Sequence, residues 1–541
     1  MTGYLSRSVT AHGISNTNEY GGDNRKTECH CPSCQNAFRA WLKARYKTLD
    51  ALNYAWWTEF WSNTIADWEE IHSPIFYGEY SLHGLKLDWR RFMSDQYIDF
   101  CRNEIKSVRK YSDRPVTTNL MGAFKPINYF KLARELDLVS LDSYPFWHFE
   151  ENEQNQAMRA SFSNSLMRSL KRQPYLLMES VPSVVNWMPR CSLKRPGMHE
   201  LSSLQTIANG ANSVQYFQWR KGRGGSEKYH GAVIDHKNGG NTRVFRDVAS
   251  LGKRLEEITD VVVSTCNQPK VALVFDWENW WAADDAQATL FPFDYFSHFI
   301  PYYDAFWRLG IDVDIVDMDS SLDGYSLVVA PINYMYRGSY IDRVREYVKN
   351  GGTYVTTYWS GEVDDSDLCF TGRHPLTDVL GICIDEIDVR PLKQKNQIHL
   401  EEQDFEIEDL CTLVHAELAE VLGTYTDDFY AGMPAVTVNQ YGHGKAYFLA
   451  AEGKVDYIKE IYRRLAEDLD LKSGFQAELP EGVLVNERIG EDGSLFFVQN
   501  FNDHPSKVMI HKEYLDIEKK TVISGEHILK PYEVKLLWKH L

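Results

Sequence analysis

Tyr175-Leu176-Leu177-Met178-Glu179-Ser180 is an apolar run that stops abruptly at an acid. It reads as a short buried strand that surfaces at its C-terminal end. The same texture recurs on both sides. Strands at 116–120, 138–142 and 213–219 alternate with helical patterns at 127–136, 153–171, 201–208 and 244–258. Strands alternating with helices make parallel β/α units. Polar residues stand at the strand ends: Asn119, Asp142 with Tyr144, Glu179, and Gln218 with Trp219. In a (β/α)8 TIM-type barrel the site is built at that rim. The expected fold class is therefore α/β, with a barrel over 1–265 in which about strands 4–8 are present and the N-terminal strands are missing. Four full strands and a stub, Gly13-Ile14-Ser15-Asn16-Thr17, can be counted where a barrel needs eight.

The stub leads into Asn18-Glu19-Tyr20. A carboxylate beside an amide and a ring at the mouth of a strand is well placed to protonate a leaving oxygen, and Glu179 supplies a second carboxylate. Two such groups about 5 Å apart imply double displacement with retention; a gap that holds a water implies inversion. Cys29-His30-Cys31-Pro32-Ser33-Cys34 follows, then a helix at 35–46 with the stripe Phe38, Trp41, Leu42 and Tyr46. Next come an aromatic loop with Trp56, Trp57, Phe60, Trp61 and Trp68, suited either to covering a cleft or to packing on helices, and a long amphipathic helix at 88–111.

Past residue 268 the apolar runs at 271–275, 327–331 and 354–358 and the helices at 299–309, 340–349 and 455–469 predict a doubly wound α/β domain over 266–473. No Gly-rich fingerprint follows its first strand, which argues against a nucleotide or other organic cofactor. Asp276-Trp277-Glu278-Asn279-Trp280-Trp281 reads as a loop that either reaches a neighbouring subunit or packs in the core. Short alternating runs from 474 to 541 predict a small antiparallel β-domain.

A net charge of −18 without any basic cluster argues against nucleic acid and against an anionic membrane as partners. The 15 Trp, 31 Tyr and 26 Phe are in excess, and rings stack on the C–H faces of sugars, although any single ring is more often core. Of nine cysteines only three cluster; the other six read as scattered buried thiols. The opening residues have no apolar secretory core, which fits a cytoplasmic protein.

The run Asn18-Glu19-Tyr20-Gly21, the Cys-x-Cys-x-x-Cys after it, Thr117-Thr118-Asn119-Leu120-Met121-Gly122, Asp142-Ser143-Tyr144-Pro145, Met178-Glu179, Asn186-Trp187, Asn209-Gly210-Ala211 and Tyr216-Phe217-Gln218-Trp219-Arg220 with Gly225-Ser226-Glu227-Lys228-Tyr229-His230-Gly231 resemble glycoside hydrolase family 42, the β-galactosidases. The resemblance runs from about residue 14 to the C-terminus. It implies that Glu19 is the acid/base and Glu179 the nucleophile, that Asn18, Trp187, Glu227 and His230 contact galactose, that the middle domain assembles a homotrimer, and that Cys29, Cys31 and Cys34 match three of four thiolate ligands of a structural zinc ion. From the residues themselves zinc and three free thiols both remain open, with His30 or a water as the other candidate ligand. Family members carry a long segment before the Asn-Glu-Tyr motif, so a truncated enzyme is expected. That leaves three readings: a retaining β-galactosidase, a silent remnant that at most binds sugar, or the same mechanism on β-D-fucosides and α-L-arabinopyranosides, which share the galactose ring pattern.

Overall fold

The computed structural model describes residues 3–4, 29–74, 82–149, 153–288, 290, 292–391 and 394–540. Its first layer is a parallel sheet of Asn119–Leu120, Ser140–Asp142, Tyr175–Glu179 and Ala211–Val214, in that spatial order. Just before it, Val116–Thr117 pairs in parallel with Gly3–Tyr4. Leu141 lies opposite Leu177, but a register shift after Leu141 sets Asp142 opposite Glu179. That irregularity places two carboxylate-bearing positions side by side at the C-terminal rim. The last strand begins two residues earlier than expected and its regular pairing ends at Val214. Gln215 and Phe217 still donate backbone N–H groups to Leu177 and Ser180, at 3.0 and 2.9 Å. Gln218 and Trp219 therefore belong to the loop beyond the rim.

The helix Glu153–Ser169 is buried along most of its length, including Gln154, Ser161, Asn164 and Arg168. Such a helix needs cover on both sides, and the second domain supplies it. Arg168 donates to Asp314 and to the Val313 carbonyl, and Trp307 Nε1 donates to Ser161 Oγ at 3.2 Å.

The second domain is built on Val313–Val316, Val271–Val274, Leu327–Ala330, Thr353–Thr357 and Gly444–Leu449, parallel and adjacent in that order. The first four of these strands are buried at every position. The helices Tyr295–Arg308, Tyr340–Lys349 and Val455–Asp468 flank them. The expected doubly wound layer is present, but it is only half of the sheet. Pro434–Tyr441 continues it antiparallel, followed by Glu420–Tyr425, Gln397–Leu400, Gln403–Ala416 and Ile382–Val389. These added strands mix buried with half-exposed and exposed, often acidic, positions, a weaker signal than a continuous apolar run.

The segment starting at Asp276 is not a loop. Asp276 caps a helix, Trp277–Asp285, by accepting from the Glu278 and Asn279 N–H groups, and Trp277, Trp280 and Trp281 are all buried within the chain. Of the two roles open to these rings, the structure assigns the core. The six scattered cysteines also divide differently from expectation: Cys101 and Cys411 are buried, Cys383 is half-buried, and Cys191, Cys266 and Cys369 are exposed.

The C-terminal domain is an antiparallel sheet in the order Ala477–Glu478, Ser506–Asp516, Val534–His540, Gly493–Asn500, Val483–Gly490, with Thr521–Leu529 on the flank of Ser506–Asp516. Thr265–Cys266, from the link between Arg243–Val263 and the middle domain, adds to its other edge. Arg488 locks this junction. Its side chain is fully buried and donates to the carbonyls of Ile207 (2.7 Å), Thr265 (2.8 Å) and Val262 (3.0 Å) and to Asn212 Oδ1 (3.3 Å). Ile207 and Val262 lie in the last turns of Met198–Ala208 and Arg243–Val263, so a cation there answers orphan carbonyls and both helix dipoles. Burial pulls the guanidinium down to about 10, still charged at neutral pH. Arg488→Met is expected to cost on the order of 3 kcal/mol by stranding those carbonyls, and Arg488→Lys to recover only part of it, both read as lowered unfolding temperatures.

Candidate active site

Glu179 ends its strand half-buried at the rim, and the Tyr144 hydroxyl donates to its Oε2 at 2.8 Å. Tyr144 follows Asp142 on the neighbouring strand, and Ser143 N–H donates to the Glu179 carbonyl at 2.9 Å, so backbone pairing sets that contact. Asn119, in the next strand, Asn119–Leu120, donates through Nδ2 to Asp142. The rim thus carries an ordered chain of polar groups, Asn119, Asp142, Tyr144 and Glu179.

Rings wall the space above it. Trp187 packs edge-on to Tyr144 at 5.6 Å and to Phe146 at 6.2 Å; His230 packs edge-on to Tyr144 at 5.6 Å and to Phe217 at 5.5 Å. His230 is buried, with Nδ1 3.2 Å from Asn186 Oδ1. Asn186 Nδ2 donates to the Ser226 carbonyl at 2.7 Å, which orients the amide with its oxygen toward the histidine. An acceptor at Nδ1 selects the Nδ1–H tautomer of the neutral ring. His230 N–H donates to the Glu227 carbonyl at 2.9 Å, so half-buried Glu227 sits in the turn that presents the ring. Gly231 closes this turn against the loop after Glu179. Its N–H donates to the Val184 carbonyl at 2.8 Å, and a Cβ there would lie 2.8 Å from Val184 N and 2.7 Å from Ser183 Oγ. The structure therefore gathers Glu179, Trp187, Glu227 and His230 at one rim. Asn18 and Glu19 lie outside the described residues.

Three family models match the chain in succession: a β-galactosidase model over residues 7–258, a β-galactosidase trimerisation domain over 269–472, and a β-galactosidase C-terminal domain over 482–539. The chain belongs to glycoside hydrolase family 42. The β-galactosidase BglY of Alicyclobacillus acidocaldarius is 43% identical over 536 residues, spanning 96% of this chain and 77% of its own length. The β-galactosidase Pbg of Clostridium perfringens is also 43% identical, over 96% of this chain and 76% of its own. Among solved structures, a family 42 β-galactosidase from G. stearothermophilus superposes with a TM-score of 0.92 at 42% identity, over 95% of this chain and 77% of that one. One from Bacillus circulans sp. alkalophilus gives 0.90 at 38% identity, over 96% and 78%.

In this family 42 glycoside hydrolase the three clustered cysteines lie beside the barrel layer. Cys31 is the N-cap of Pro32–Tyr46, and the sulfurs of Cys29, Cys31 and Cys34 all lie within 4.8 Å of one another. Hydrogen bonds from the Cys34 backbone N–H and from the Cys29 and Cys34 thiols pull the Cys31 thiol down to about 7, a direction the helix N-terminus favours. His30 is not part of this group. Its Nδ1 lies 2.8 Å from Ser73 Oγ and its ring stacks on Trp89 at 5.2 Å. In the aromatic loop Trp56 is buried, whereas Trp57, Phe60 and Trp61 are 54%, 48% and 77% exposed, with Phe60 stacked on Trp61.

Asn186 is marked in the sequence only as part of the Asn186-Trp187 motif, and its pairing with His230 is revealed by the fold alone. Lys194 had no distinct signal in the sequence. It sits in a loop with Arg195 and Pro196, where a lysine is ordinarily solvated. Here it is buried and donates to the Val181 carbonyl, two residues past Glu179, at 2.7 Å. Burial lowers its ammonium from 10.5 to about 7. The unfolded chain therefore binds more protons than the folded one between those values, and this group makes stability rise with pH from about 7 to 10.5. Lys194→Met is expected to flatten that rise, measured as unfolding temperature against pH for the two proteins.

Proposed function

We propose that this protein hydrolyses terminal β-D-galactosides by double displacement with retention, using Glu179 as nucleophile and Glu19 as acid/base. The observation that carries the reading is Glu179 at a strand end, held by the Tyr144 hydroxyl at 2.8 Å and walled by Trp187 and His230. The family names of its relatives support the galactoside.

In the first step a carboxylate oxygen of Glu179 bonds to the anomeric carbon as the bond to the leaving oxygen breaks and Glu19 gives that oxygen its proton. In the second, Glu19 takes a proton from water, the water oxygen bonds to the anomeric carbon, and Glu179 leaves as carboxylate. Tyr144 fixes one oxygen of Glu179 and leaves the other to attack. Trp187 offers a face to the sugar ring, while Asn18, Glu227 and His230 hold its hydroxyls. Glu179→Gln is expected to lower kcat on a chromogenic β-galactoside at least about 1,000-fold in a folded protein. Following the wild-type reaction by proton NMR should give β-galactose as first product; α-galactose first would overturn retention.

The middle domain, matched by a trimerisation model, supports a homotrimer, checked by light scattering. The cysteine trio suits a structural zinc ion. Tetrahedral thiolates about 2.3 Å from a metal stand just under 4 Å apart, within the observed spread. Zinc would fix the loop ahead of Pro32–Tyr46 and takes no part in the reaction. About one zinc per chain by mass spectrometry of metals is the expected result, and Cys31→Ser should lower it.

A second reading is binding without turnover. Among the described residues the strand Ala211–Val214 has an open edge where a closed barrel would have a neighbour. Folded wild-type protein that binds galactose but turns over no galactoside would favour it.

A further inference from the structure

Away from the barrel rim, a cavity of about 470 Å³ opens where all three domains meet. Gln154 borders it from the start of Glu153–Ser169, Trp307 and Arg308 from the end of Tyr295–Arg308, Lys459 from Val455–Asp468, and Lys472 and Phe475 from the link into the last domain. The far wall is the strand Val483–Gly490. It pairs along its length with Gly493–Asn500, but on its other edge only Ile489 and Gly490 pair, with Thr265–Cys266. Glu487 turns its carbonyl to that open edge, where Asn267 donates to it at 3.2 Å. Alternation then turns the N–H and C=O of Val485 the same way, into the cavity. Gly310, at φ 67°, lies opposite: a Cβ there would stand 4.0 Å from the Val485 carbonyl.

The charges around this space are uneven. Arg308 is tied to Asp304 at 3.0 Å. Among the described residues neither Lys459 nor Lys472 makes an ion pair, and the opposing acid on the wall is Glu481. Two ammonium groups thus border the same space as an open strand edge and the Phe475 ring, with Asp304 close enough to Lys459 to feel its charge. The volume falls in the range of small-molecule sites and exceeds what a lone inorganic anion fills. Lysines select a negative group, the Phe475 ring a flat or apolar face, and Glu481 with the Val485 backbone a set of hydroxyls.

We propose that this junction is a second ligand site, separate from the barrel rim, which takes an anionic sugar-sized molecule, a phosphate or carboxylate carried on a hydroxylated ring. A ligand there would touch all three domains at once and stabilise their mutual packing.

The test is calorimetric titration of the full chain with galactose 6-phosphate, inorganic phosphate and galactose, repeated with Lys459→Glu/Lys472→Glu and with Glu179→Gln. Expected are saturable binding of the phosphorylated sugar, at least about tenfold weaker binding of phosphate alone, and a loss of about tenfold or more in the lysine variant, with Glu179→Gln unchanged. The lysines are surface groups, so an unchanged unfolding temperature checks that the variant folds. No binding of the phosphorylated sugar, binding that the lysine variant retains, or equal binding of phosphate alone would overturn the proposal. Since Glu179→Gln is scored separately, this outcome is independent of whether the barrel turns over galactosides.

Discussion

Asp88, buried in the long helix His83–Val108, accepts from the Tyr46 hydroxyl at 2.6 Å, Trp56 Nε1 at 2.9 Å and Arg91 at 3.0 Å. Arg91 reaches on to Glu278 at 2.8 Å, and Lys131 meets the other oxygen of Glu278 at 3.0 Å. Burial alone would raise the Glu278 carboxyl, but the Arg91 and Lys131 charges outweigh it and hold the group well below the usual carboxylate range. Asp88, Arg91 and Glu278 are buried, so losing one of them strands another, at a cost of several kcal/mol. One network thus joins the cysteine-bearing helix Pro32–Tyr46, the barrel-layer segment Tyr129–Ala133 and the middle-domain helix Trp277–Asp285. Asp276, the cap of that last helix, is in turn paired with Arg337.

That constraint explains why the middle domain is more than an appendage. It covers the outer face of Glu153–Ser169, receives Arg168 on Asp314, and packs three tryptophans of Trp277–Asp285 inward. On the other flank Arg488 ties the C-terminal sheet to two helix ends of the barrel layer. The sheet that carries Glu179 is therefore braced by buried cations near the N-terminal ends of its strands, opposite the rim. The role proposed for Glu179 needs a carboxylate held within a fraction of an ångström, and a firmly braced sheet favours that.

Much of this was legible in the residues. The strand at Tyr175–Glu179 and the helix at Tyr340–Lys349 fall where the apolar patterns place them, because runs buried on both faces, and strong amphipathic stripes, carry their own period. The strands between Ile382 and Tyr441 were not legible as an antiparallel extension. They mix buried, half-exposed and exposed positions, several of them acidic, so neither a continuous apolar run nor a clean alternation marks them. Asp276 was misread for a different reason: a helix of nine residues rich in tryptophan has neither good propensity nor a clean stripe, and its cap is recognised only once the buried partners are present.

The sequence by itself determined the chemistry on offer: an acid at the end of an apolar strand, a histidine and a glutamate three apart, three thiols in six residues. Residue type and short-range spacing fix those, since each depends on local backbone geometry alone. The tertiary structure decided which of them meet. The register shift that sets Asp142 beside Glu179, the Tyr144 hydroxyl on Glu179, the Asn186 amide that turns His230, and the burial of Lys194 behind the same loop all join residues 35 to 44 positions apart or change a group's solvent, as Tyr144 does across 35 and Asn186 across 44. Contacts of that kind follow from how layers pack, and no local period encodes them.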